Sequence, residues 1–198
     1  MAVLTLASAS TIRATLLHNA GVEISVQPAR IDEDALRESL LAEGASAHDL
    51  ADALAEQKAL HIASRAAQAL VLGCDQVLEC DGEIFAKPAN ADQARQHLRL
   101  LRGRTHRLHT AVVLYAAGRP VWRHVATPCL TMRDFSDVWL DDYITRNWHE
   151  IRHCVGCYQI EGEGIRLFSR ISGDLFAIQG LPLLELITIL IQRKDIPG

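Results

Sequence analysis

Apolar positions along the chain follow two periods, and the switches between them mark out the elements. Residues 2–6, AVLTL, form a short apolar run of the kind a buried strand shows. Ser8, Ser10 and Thr11 then supply capping side chains for a helix over about residues 11–19, ended by the Asn19–Gly21 region. VEISVQP (22–28) alternates as a strand does and stops at Pro28. From Asp34 to about Ala67 the chain is rich in Ala, Leu and Glu, which predicts one or two helices with a break at Gly44. ALVLGCD (69–75) reads as a buried strand emerging into polar residues, and VLECDGEIFA (77–86) as a hairpin with Asp81-Gly82 in a tight primed turn.

A helix over about 91–102 places Ala94, Leu98 and Leu101 on one face, and Gly103 stops it. Two long strands are expected next, about 106–116 and 120–133, joined by a turn at Gly118. Residues 136–146 have helical character, and 154–164 is a glycine-bearing segment. Two short strands and a last helix beginning near Pro182 complete the chain. Strands and helices alternate early and hairpins come later, so the fold class is α/β, a mixed sheet flanked by helices. No repeat, low-complexity tract or linker interrupts it.

The length of 198 residues suits one large domain or two small lobes. With 49% apolar and 22% charged residues, the chain has globular composition and is not of the disordered class. A formal net charge of -4 excludes a generally basic nucleic-acid binder but leaves room for a local basic pocket. Cysteines are odd in number, at five, which points to reduced thiols and a reducing compartment rather than a disulfide framework. The apolar opening lacks a basic leader, and LPLLELITILI (181–191) is half a membrane span and contains Glu185. These features predict a soluble, cytoplasmic protein with neither nucleic acid nor membrane as partner. Lysine is scarce (Lys58, Lys87 and Lys194 only), which sets each one apart in an arginine-rich chain.

Four constellations can carry chemistry. LASASTIR (6–13) is a strand, a serine-bearing turn and a helix start, where free N–H groups attract anions and Ser8, Ser10 and Arg13 add donors. The plainer reading is that the serines only cap the helix. Acids follow strands at Asp32, Glu33 and Asp34 and again at Asp75, and two carboxylates at a sheet mouth suit Mg²⁺ with phosphate oxygens and waters. Asp34 and Asp81 read better as solvated loop acids. Lys58, within a helix, and Lys87, after the hairpin, are either surface charges or phosphate ligands. HEIRHCVGC (149–157) has zinc-ligand types and spacing in His149, His153, Cys154 and Cys157, and its CxxC pair also allows thiol–disulfide exchange.

Taken together, the segments resemble the Maf family, septum-formation proteins that act as nucleoside triphosphate pyrophosphatases. The resemblance rests on LASAS..R..LL (6–17), DE (32–33), LAEQKA (54–59), VLGCDQV (71–77), DGEIFAKP (81–88), LRGRTHRLHT (101–110) and GLPL (180–183), in that order. It implies a two-lobed fold similar to the inosine triphosphate pyrophosphatases, with the active cleft between lobes, and a homodimer. On that pattern Ser8, Ser10, Arg13, Lys58 and Lys87 grip the triphosphate. Glu33 and Asp75 hold a divalent metal cation, Mg²⁺ or Mn²⁺, and Asp75 accepts a proton.

The chain departs from the family pattern at Thr11 and Ile12, where proline and arginine are usual, and at Gln76, where threonine is common. VGCYQIEG (155–162) replaces the usual glutamine with Glu161. Gln76 and Glu161 resemble the 7-methyl-GTP subgroup rather than the dTTP/UTP subgroup. Ile12 stands where the former has an aromatic residue, so it can pack on a base but not stack on one. Two other function classes remain open: a regulatory nucleotide-binding protein linked to septum formation, and a zinc-binding module over residues 149–157.

Overall fold

The computed structural model describes residues 3–66 and 68–198. Ala2, expected to open the first strand, and Ala67, expected near the end of the helical segment, lie outside the described residues. The elements up to the middle of the chain are β1 (Leu4–Leu6), α1 (Thr11–Asn19), β2 (Ile24–Val26), α2 (Glu33–Ala42), α3 (Ala47–Ala63), β3 (Leu70–Cys80), β4 (Glu83–Phe85) and α4 (Ala91–Leu101). The rest are β5 (Thr105–Ala116), β6 (Arg119–Ala126), β7 (Cys129–Met132), α5 (Asp137–Ile151), β8 (Phe168–Ser172), α6 (Leu175–Ile178) and α7 (Leu183–Gln192). The fold is α/β, with a mixed sheet flanked by helices. It divides into two compact units, one of Met1–Gln76, Thr110–Ala126 and Asp174–Gly198, the other of Val77–His109 and Thr127–Gly173.

In the first unit β1 pairs in parallel with both β2 and β3, and β6 lies antiparallel on β5. Parallel strands are covered on both faces, so they read as unbroken apolar runs rather than alternating ones. Leu4, Leu6, Leu70, Leu72 and Cys74 accordingly share one core with Leu16 and Leu17 of α1 and with Leu183, Leu186 and Leu190 of α7. Each such side chain contributes about 1.5–3 kcal/mol by leaving water. Asp32 caps α2 by accepting from the Ala35 N–H, which makes Glu33 the first helical residue. Gly44, at φ 82°, provides the left-handed turn that separates α2 from α3, and Ser46 caps α3.

In the second unit the last residues of β3 form a hairpin with β4. Asp81 and Gly82 turn it at φ 52° and 84°, both left-handed, as a primed turn requires. The start of β5 pairs antiparallel with β7, and β7 with β8. Ala94, Leu98 and Leu101 are the buried face of α4. Arg95 bonds Asp141 of α5, while Arg99 and Arg102 both reach Asp137. These pairs lie at the surface, exposed or half-buried, and contribute about 0–1 kcal/mol each.

Four local expectations change. β3 is one strand from Leu70 to Cys80, so Asp75 lies in its middle rather than at its end. β5, the next strand in the sheet, and β4, at residues 78–80, both pair with β3 and keep the chain extended past residue 75. The strand expected over 120–133 is two, β6 and β7, interrupted at Thr127-Pro128, where proline has no N–H for the ladder. After a 3-10 turn at Glu163–Leu167 there is one strand, β8, and then the short helix α6 in place of a second strand. The helix expected over 136–146 runs on to Ile151. Among the described residues no helix is long and apolar enough to cross a membrane.

Candidate active site

The turn between β1 and α1 holds the first group of side chains. Ser10 is the N-cap of α1, its Oγ accepting from the Arg13 N–H at 3.5 Å, and Ser8 Oγ accepts from the Ser10 N–H at 3.3 Å. The capping role is therefore real. The first turn of α1 carries no acid, so its positive end is not neutralised from within the helix. Arg13 Nη1 donates to Ser8 Oγ at 3.1 Å and to the Cys74 carbonyl at 3.3 Å. Its Nε donates to the Gly180 carbonyl at 2.7 Å. Arg13 thus ties α1 to β3 and to the segment before α7. Ile12 is half-buried and packs on the core of the first unit.

The acids and Lys58 meet a few residues away. Lys58 Nζ stands 2.6 Å from Asp75 Oδ1 and 2.9 Å from Glu33 Oε2, so one ammonium joins α2, α3 and β3. Lys58 is only 8% exposed and Asp75 only 6%, whereas the Glu33 side chain is partly open to solvent. Gly73 allows the approach. A Cβ there would lie 2.0 Å from the Ala55 carbonyl oxygen and 2.7 Å from the Ala59 nitrogen, both on α3. Small residues at 55, 59 and 73 let helix and strand come close enough for Lys58 to span them. Asp34 follows Glu33 into the first turn of α2 and is exposed.

A buried ion pair is poor evidence for stability, because stripping water from both charges offsets most of their attraction. Its presence at this point is better explained by chemistry. Among the described residues the buried Asp75 Oδ2 has no hydrogen-bond partner, so the ammonium holds one carboxylate oxygen and leaves the other unengaged.

Gln76, next along β3, is engaged within the protein. Its Nε2 lies 2.9 Å from Thr110 Oγ1 and 3.0 Å from each of the Ala177 and Ile178 carbonyl oxygens. Both amide N–H groups are thereby taken, leaving Oε1 as the group Gln76 can offer elsewhere. The sequence reading missed Thr110 and the carbonyls of Cys74, Ala177 and Gly180. Backbone acceptors leave no residue-type signature, but a threonine heading the apolar run AVVLY (111–115) was a visible oddity.

The remaining candidates lie in the second unit. Lys87 is exposed in the segment after β4, and Glu161 is exposed in the turn before the 3-10 segment. Among the described residues no three His, Cys, Asp or Glu side chains converge as a metal cage, so His149, His153, Cys154 and Cys157 do not form the zinc site their spacing allowed. His149 sits in the last turn of α5, while Cys157 is fully buried with its backbone left-handed at φ 57°. Burial pushes the Cys154 thiol up to about 11 and the Cys157 thiol up to about 12. Both stay protonated at neutral pH, which makes thiol exchange slow.

The serine-bearing start of α1 and the lysine shared by two acids both lie in the first unit of the α/β fold. Residues 3–193 match the family described as Maf-like protein, and the chain belongs to that family. It is 52% identical over 194 residues to a protein of Roseobacter denitrificans named nucleoside triphosphate pyrophosphatase, covering 98% of each chain. Proteins of the same name from Ruegeria sp. (49% over 185 residues, 93% of each) and Caulobacter vibrioides (47% over 186 residues, 94% of this chain and 93% of the relative) are similar throughout as well.

Proposed function

We propose that this protein is a nucleoside triphosphate pyrophosphatase, a hydrolase that opens the bond between the α and β phosphates and yields a monophosphate and pyrophosphate. The observation that carries the reading is Lys58 held by both Asp75 and Glu33, with Asp75 Oδ2 buried and without a partner among the described residues. The names of the relatives support the reaction class.

In this reading the N–H groups at the start of α1, with Ser8 and Ser10, bind phosphate oxygens. Arg13 holds Ser8 in place, and its bonds to Cys74 and Gly180 keep the turn rigid. Lys58 orients Asp75 through Oδ1 and lowers the negative potential that two acids would present to a polyphosphate. Water attacks phosphorus, its proton passes to Asp75 Oδ2, and pyrophosphate leaves with the bridging electron pair. Lys87 is assigned as a further phosphate ligand on the family resemblance alone.

The donor set suits a hard divalent cation. Two carboxylates with substrate phosphates and water are the usual Mg²⁺ environment, and Glu33 and Asp75 come together around Lys58. Glu33 and Asp75 would hold Mg²⁺ or Mn²⁺, which when bound neutralises charge on the phosphoryl oxygens.

The substrate assigned is a triphosphate of 7-methylated guanine. That base is cationic and rich in donors, so an acidic Glu161 and the acceptor oxygen of Gln76 suit it chemically. Ile12 supplies an apolar rather than a stacking contact. A panel of canonical and methylated triphosphates, assayed for pyrophosphate with and without a chelator, tests the reading. Stoichiometric pyrophosphate, abolished by chelation and fastest from 7-methyl-GTP, is expected. Failure to release pyrophosphate from any triphosphate overturns the reaction, and preference for another base overturns the specificity.

A further inference from the structure

Three consecutive residues of β3 are each fastened to a different part of the first unit. Arg13 holds the Cys74 carbonyl, Lys58 holds Asp75, and Thr110 with the Ala177 and Ile178 carbonyls holds Gln76. Successive side chains of a strand leave by opposite faces. Asp75 and Gln76 are therefore opposing pegs on one peptide. A shift of β3 that carries the Asp75 carboxylate away must also break the bonds of Gln76.

Thr110 sits at the centre of the second peg. It is fully buried, donates its hydroxyl to the Ala177 carbonyl at 2.8 Å and accepts from Gln76 Nε2 at 2.9 Å. The network settles which way round the amide lies, since the two carbonyls can only accept and the nitrogen must face them. Burying a hydroxyl costs free energy unless it is bonded, and valine would fill the same space without that cost. A hydroxyl is kept here because it joins β5, β3 and the segment before α7 in one set of bonds. Asp174 secures the same segment, capping α6 by accepting from the Ala177 N–H at 2.7 Å.

We infer that Thr110 is a positioning residue for the hydrolysis: its hydroxyl fixes Gln76 and through it the place of Asp75 opposite Lys58. The inference rests on the pyrophosphatase reading above. It is tested with Thr110→Val and Thr110→Ser, measuring kcat and KM for pyrophosphate release, the melting temperature, and the NMR resonances of the Gln76 side-chain amide. Thr110→Val is expected to lower kcat about 10-fold or more because the reacting carboxylate is displaced, and KM rises only by the share of base binding that Gln76 Oε1 supplies. The Gln76 amide resonances shift and exchange faster with water, and Thr110→Ser restores both readouts to near the wild-type values.

An unchanged kcat in Thr110→Val overturns the role, and so does a loss that Thr110→Ser fails to rescue. A kcat that falls only in proportion to the unfolded fraction shows a purely structural residue and also overturns it. If Thr110→Val does not fold, Thr110→Ala is read by the same criteria. An inactive wild type overturns the pyrophosphatase reading along with this role, whereas an active wild type with an equally active Thr110→Val overturns the role of Thr110 alone.

Discussion

Replacing Gly73 by alanine probes how the site is held together without touching any group that meets substrate. The added Cβ would sit 2.0 Å from the Ala55 carbonyl oxygen, 2.7 Å from the Ala59 nitrogen and 2.9 Å from the Ala59 Cβ, where ordinary contact begins at 3.4 Å. Backbone atoms of a packed helix cannot swing aside, so α3 and β3 must separate by about 1 Å or more. Lys58 lies on α3 between Ala55 and Ala59, and a separation of that size opens its 2.6 Å contact with Asp75 Oδ1 to about 3.6 Å, outside hydrogen-bond range. Overpacking of this kind costs about 1–3 kcal/mol, or roughly 3–10 °C in melting temperature for a chain this long. Misplacement by 1 Å at the reacting group costs about 10²-fold in rate. Thermal melts and pyrophosphate release on purified Gly73→Ala measure both. A variant that melts lower but hydrolyses at the wild-type rate per folded molecule would refute the positional argument, since the clash would then have been absorbed away from Lys58.

Lys58→Met removes the shared ammonium and leaves two carboxylates facing each other; turnover is expected to fall about 10²–10³-fold, and a smaller loss in the same assay counts against its role. His106 is buried against the Tyr158 hydroxyl at 2.8 Å, and burial pushes its imidazole down to about 4 from an ordinary 6.5. Its stabilising effect is complete above pH 6.5 and is lost as pH falls toward 4, where only the unfolded chain takes up the proton. Urea titrations across that range should show stability declining by up to about 1.4 kcal/mol per pH unit, a slope that His106→Gln flattens. Cys154→Ser combined with Cys157→Ser should leave pyrophosphate release and the metal content of purified protein unchanged; a zinc ion lost with these thiols would revive the metal module.

Where an element carries its own start and stop, the sequence shows it. Ser10 and Gly21 bracket α1, Gly44 divides α2 from α3, Asp81-Gly82 turns the hairpin, and the spacing of Ala94, Leu98 and Leu101 orients α4. What depends on distant partners is hidden. β3 continues through the polar pair Asp75-Gln76 because β5, far along the chain, pairs with it in the sheet, a contact no local window contains. LFAI (175–178) is too short for its period to separate helix from strand, and the cap from Asp174 decides in favour of helix. Pro128, which has no N–H for a ladder, ends β6 despite the apolar residues around it.

The site divides in the same way. Ser8, Ser10, Glu33, Lys58 and Asp75 were visible as residue types, but each alone also had an ordinary structural reading. Their meeting at one ammonium depends on Gly73, Ala55 and Ala59, whose small size registers only once α3 and β3 are packed together. Thr110 and the carbonyl acceptors belong to segments far apart in the chain, and nothing local marks them as neighbours of Gln76.

Asp75→Asn tests the central claim most directly. Asparagine matches the carboxylate in size, and Lys58 keeps its bond to Glu33, so circular dichroism should match the wild type. The side chain can no longer accept a proton from water at Oδ2, and pyrophosphate release is expected to fall by at least about 10²–10³-fold. Pyrophosphate released at the wild-type rate by a folded Asp75→Asn would contradict the account.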